Sequence, residues 1–174
     1  MSKLGVDAPP PGEPQRTKSG QFRAVAKEIH DLVERVVEKL DVNGYNPTPI
    51  LDIAALIAHA DGKITDAEMK ALQEVLQPIL HQQVDSELVG YLIHASVDVV
   101  RAAGMEARVR VIAEILLDCD AAEDGVLVAF AVAFAAEQLD AAERGVINRL
   151  AAAAKLPPER IAGLENKAKS LFAT

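Results

Sequence analysis

The feature that most constrains this chain is an internal echo at an offset of 75 residues. Ala54, Ala58, Ala60, Ala67 and Glu68 align with Ala129, Ala133, Ala135, Ala142 and Glu143, while Ile57, Ile64 and Leu72 align with Val132, Leu139 and Ile147. Each copy reads as an apolar helix, a tight turn and a second helix begun by a capping acid. One copy alone leaves an apolar stripe uncovered, whereas two copies packed face to face bury both stripes. The echo therefore predicts an all-α bundle of two pseudo-symmetric helix-turn-helix halves, with one extra helix ahead of them.

Periodicity and chain breakers place the elements. Residues 1–20 are crowded with proline and glycine, cannot bury enough apolar surface to offset ordering entropy, and are expected to form a disordered tail. Residues 21–45 form an amphipathic helix and linker, because Phe22, Val25, Ile29, Val33, Val36 and Leu40 recur at three- and four-residue steps before Asn43-Gly44 and Asn46-Pro47 break the pattern. Residues 46–174 form the helical domain. Its helices are expected near Pro49 to Ala60, Asp66 past Leu76, Ser86 to Ala103, Glu106 to Leu117, Gly125 to Ala136 and Ala141 to Ala154. A last one is opened by Pro157-Pro158, and Pro78 is expected to end or kink the third. Aromatic residues make up only 3% of a chain that is 50% hydrophobic, so the core must consist of aliphatic side chains and alanine.

Charge and motif content exclude several function classes. A formal net charge of -8 opposes phosphate neutralisation, and the basic group Arg101, Arg108 and Arg110 is interrupted by Glu106 with no aromatic platform beside it, so nucleic acid is not an expected partner. Gly125 to Ala136 is too short to span a bilayer. Cys119 is the sole cysteine and no amino-terminal signal-like apolar run is present, which suits a reducing cytoplasm. His30, His59, His81 and His94 form neither a Glu-x-x-His nor a His-Glu-x-x-His pattern, and no glycine-rich phosphate loop occurs. An enzyme is not expected, and no small-molecule substrate is inferred.

The stretch Ala60-Asp61-Gly62-Lys63-Ile64-Thr65-Asp66-Ala67-Glu68 is where residue identity points to chemistry, and two readings of it stand side by side. In the first, Thr65 is an N-cap, Glu68 completes a capping box and Ile64 staples onto Met69; Asp140 and Glu143 repeat this in the second half, where Arg144 replaces the staple partner. In the second, Asp61 is surplus to the cap, and Gly62 lets the chain fold its carboxylate back toward Glu68. Asp61, Gly62, Ile64 and Glu68 match positions 5, 6, 8 and 12 of an EF-hand loop, but Ile57 and His59 stand where oxygen donors belong. A divalent cation, calcium first, would then be held by Asp61, Glu68, Glu143 and backbone carbonyls, with Glu137, Asp120 or Asp124 as further oxygen sources. The group Asp118, Asp120, Glu123 and Asp124 also reads as a solvated loop favouring the helix start behind it.

The turn ADGKITDAE and its echo AAEQLDAAE at Ala135 to Glu143 resemble the TerB-like tellurite-resistance family over roughly Ile50 to Leu164. The resemblance implies an all-helical domain whose two halves each carry an Asp-Gly turn followed by a capped acid. It implies a metal-responsive interaction module of bacterial stress response, with Asp61, Gly62 and Glu68 in the first acidic turn and Glu143 as the acid of the second. This chain departs from that pattern by carrying Ala136-Glu137 in place of the second Asp-Gly. Expected partners are other proteins or a second copy, met either through a cation-set helix angle or, in a metal-independent scaffold, through the apolar stripe of the first helix.

Overall fold

Apolar residues recurring at three- and four-residue steps form α-helices throughout the computed structural model, which describes residues 18–62, 64, 66–76, 86–136 and 139–173. The side chains of residues 18–26, 67, 68, 71, 74, 75, 86 and 136 lie outside that description. Among the described residues there are eight helices and no strand: α1 Lys18–Val42, α2 Thr48–Ala58, α3 Asp66–Leu76, α4 Ser86–Ala103, α5 Met105–Asp118, α6 Ala122–Ala136, α7 Ala141–Ala153 and α8 Pro158–Phe172. The first helix starts at Lys18, ahead of the expected Phe22. Residues 1–17 of the proline-rich tail and the stop at Pro78 fall outside the described residues.

Helix α6 is the axle of the fold. Every residue from Val126 to Ala133 is buried, because α1, α2, α3, α5, α7 and α8 all pack against it. A helix enclosed on all sides needs no polar face, which explains its unbroken apolar run. Its counterpart α2 is buried from Pro49 to Ala58 and packs on α4, α5 and α6. The two halves thus meet through α2 and α6, and the echoed positions share a fate. Ala54 and Ala129, Ile57 and Val132, and Leu72 and Ile147 are buried as pairs, and Ile64 and Leu139 are both partly buried against the core.

Helices α4 and α5 form an elbow of 115° at Gly104, whose φ of 87 is a conformation L side chains rarely adopt. The bend lets both helices lay a face on the core, where Val89, Ile93 and Val97 of α4 and Val109, Ile112 and Leu116 of α5 are buried. No single described helix is long and apolar enough to cross a membrane.

Helix α1 corrects one expectation. Its stripe Ile29, Leu32, Val33, Val36 and Leu40 is buried within the chain, where α1 packs on α6, α3 and α8. Each such side chain contributes on the order of 1.5–3 kcal/mol when fully buried. From Ile29 to Leu40 the stripe is therefore a closing strap of this fold, and that part is not available to a partner or a second copy, while the side chains of Phe22 and Val25 lie outside the described residues.

Candidate functional site

At the end of α2 the chain leaves the helix through His59 and Ala60, whose N–H groups donate to the carbonyls of Ala55 and Ile57 respectively. Gly62 N–H then closes a turn on the His59 carbonyl at 3.0 Å, with Gly62 at φ 87. The left-handed turn expected of Asp61-Gly62 is present, and Asp61 stands exposed on it. Thr65 and the side chain of Glu68 lie outside the described residues, so the capping box of this half does too. Ile64 and Met69 both pack against the core from either side of the turn.

The second turn resolves the roles of its acids. Asp140 Oδ1 accepts from Glu143 N–H at 2.8 Å, and Glu143 Oε2 accepts from Asp140 N–H at 3.0 Å. This reciprocal capping box starts α7, and it leaves Glu143 buried at 8% exposure. Arg144, which takes the staple partner's place, reaches α8 instead, where its Nη1 donates to Glu165 Oε2 at 2.5 Å. Lys169 adds a second bond to the same carboxylate at 2.7 Å, and these two cations hold Glu165 below the ordinary carboxylate range, the Arg144 hydrogen bond foremost. Glu137 lies outside the described residues.

The acidic stretch after α5 is braced from several sides. Lys39 Nζ donates to the Asp120 carbonyl and to Asp124 Oδ2, both at 2.8 Å, tying α1 to the start of α6. Arg160 of α8 grips Glu123 with two bonds, at 2.5 and 2.8 Å, and that grip lowers the Glu123 pKa. Tyr45 Oη donates to Asp118 Oδ2 at 3.1 Å, which raises the phenol's pKa. Glu123 and Asp124 lie in the first turn of α6, where negative charge favours the helix. Cys119, between Asp118 and Asp120, is buried, and burial pushes its thiol pKa up. The Asp120 carbonyl and the Asp124 carboxylate are thus brought together around a lysine amine. Among the described residues, no three His, Cys, Asp or Glu side chains converge closely enough to hold a metal ion.

A buried charged pair also escaped sequence reasoning. Asp52 on α2 is 1% exposed, and its Oδ2 accepts from Arg108 Nη2 on α5 in a short hydrogen bond. Arg108 Nε is also closed off from solvent and has no hydrogen-bond partner. Asp52 interrupts the apolar run Ile50 to Ala58, and a lone acid inside such a run is the signal that could have exposed it. Its partner lies 56 positions away, with no spacing rule to reveal it.

The family model described as tellurite resistance protein TerB matches residues 50–166, well over half of the chain. The chain belongs to the TerB family. No curated protein and no solved structure matches it. The TerB-matched span runs from α2 into α8, so it holds both echoed halves and both members of the Asp52–Arg108 pair. Helix α1, with Lys39, lies outside that span and straps its central helix.

Proposed function

We propose that this TerB-family chain is a non-catalytic binding module of a cytoplasmic stress response linked to tellurite resistance. It senses a divalent cation, calcium first, at the α2–α3 turn through Asp61 and Glu68. The observation that carries the reading is the turn itself. Gly62 occupies the left-handed conformation that the Asp-Gly pair requires, and Asp61 stands exposed at a joint between two core helices. A cation there would neutralise the acids and fix the angle between α2 and α3, biasing the surface offered to a protein partner. Of the three expected ligands Asp61, Glu68 and Glu143, the last is the weakest, because one of its oxygens already serves the α7 cap. Calorimetry of the full chain with calcium should give a saturable heat that Asp61→Ala abolishes. Absence of heat, or heat unchanged by that substitution, would overturn the cation reading.

The capping box of α7 and the exposed face of α4 favour a second reading, a metal-independent scaffold. Leu88, Tyr91 and Val99 recur at helical spacing on α4 with exposures of 46%, 64% and 42%, an apolar face suited to a protein partner. Hydrogen exchange with and without calcium separates the two. Protection of α2 and α3 that changes with the ion supports sensing, and identical profiles support the scaffold.

A further inference from the structure

The Asp52–Arg108 pair sits where the fold does not require charge. The position echoing Asp52 in the second half is Leu127, also buried, so the same helix placement is achieved there by an aliphatic side chain. Buried ion pairs are often no more stabilising than apolar residues of similar volume, so packing alone does not account for this one. The guanidinium is also only partly used. Asp52 takes Nη2, while Nε–H is buried without an acceptor. Both residues line a cleft of ≈ 310 Å³ between the α1–α2 turn, the start of α2 and the outer part of α5. Asn46 and Thr48 give the cleft a polar rim, and Pro49 and Ile115 give it an apolar wall.

We propose that this cleft is a binding site for a small aliphatic carboxylate. A planar carboxylate matches the fork of a guanidinium held in place by a buried acid, and such pairings are among the strongest hydrogen-bonded contacts. The Thr48 hydroxyl and the Asn46 amide are neutral donors at the rim. Asn46 Oδ1 already accepts from Thr48 N–H at 3.0 Å, which fixes that side chain over the start of α2. The positive end of the α2 dipole adds attraction for one negative charge. Asp52 on the wall, and Asp118 beside Tyr45, disfavour a more highly charged anion. Pro49 and Ile115 take up a short alkyl tail. Nothing in this site depends on a cation at the α2–α3 turn.

The test is a ¹⁵N-edited NMR titration of the full chain with sodium butyrate, following the Arg108 Nε–H and the amides of Thr48 and Ile115. Separate arms at matched ionic strength contain 1-butanol and inorganic phosphate. The expected result is a saturable shift of these signals with butyrate and none with butanol, with at least a tenfold weaker apparent Kd in Arg108→Lys. Thr48→Val, which leaves the buried pair intact, should weaken binding severalfold and decides the matter if Arg108→Lys loses its dispersed spectrum. The proposal is overturned by a butyrate titration without saturation, by an equal response to butanol or phosphate, or by affinity unchanged in the folded variants.

Discussion

The first half, α2 with α3, and the second, α6 with α7, bury their echoed residues alike yet differ at other matched places, among them three in the core. Where the first half has Ala55, the second has Phe130, the bulkiest of the fully buried side chains. Ile50 is matched by Gly125, where an added Cβ would come within 2.6 Å of Leu116, so the second half gains its close approach to α5 from a missing side chain. Asp52 is matched by Leu127. The difference teaches that the duplicated pattern specifies helix placement, while volume and charge at matched positions were free to diverge. The second half became the packing centre, and the first retained the exposed acidic turn and the buried charge.

The comparison breaks most visibly at Phe130. Phe130→Ala should cost about 3–5 kcal/mol in urea unfolding, and a loss below about 1 kcal/mol would remove α6 from the centre of the fold. Making the first half resemble the second comes next. Asp52→Leu alone should cost about 3 kcal/mol, because Arg108 is left partly buried without its acid. Asp52→Leu combined with Arg108→Met should recover to within about 1 kcal/mol of the parent, and failure to recover would show that the pair is structural.

Smaller effects test features peculiar to the second half. Glu165→Gln loosens the clamp of α8 on α7 and should cost about 1–2 kcal/mol at neutral pH, a figure kept low because Arg144 is partly exposed. Since the folded state lowers the Glu165 pKa, its contribution is full above the ordinary carboxylate range and is lost as pH falls through that lowered value. The gap between parent and variant should therefore narrow progressively as the pH is lowered below the ordinary carboxylate range, as read by paired urea melts. Asp140→Ala removes the α7 cap and should cost about 1 kcal/mol by thermal unfolding.

The fold was largely legible because helix placement depends on local spacing. The expected α4 has the observed ends, the expected α5 falls one residue short at each end, the expected α7 runs one residue past the observed end, and the last helix does open at Pro157-Pro158. Helix α6 starts earlier than Gly125, since Ala122, Glu123 and Asp124 form its first turn; two of the acids read as a solvated loop are good first-turn residues. The left-handed turn at Gly62 and the box of Asp140 and Glu143 were legible for the same local reason. The pairs Asp52–Arg108, Lys39–Asp124 and Arg160–Glu123 were not. Each joins helices far apart in sequence, and neither periodicity nor a motif encodes which cation meets which acid. The burial of the α1 stripe was hidden similarly, because an amphipathic pattern states that a face must be covered and not by what.

Lys39 supplies both the bond to a backbone carbonyl and the bond to a carboxylate that fasten the end of α1 to the start of α6. Two acceptors depending on one amine cannot be given up in stages. When that end of the strap lets go, amide protons of the last α1 turn and the first α6 turn should begin exchanging at a common rate, a single cooperative opening instead of gradual fraying.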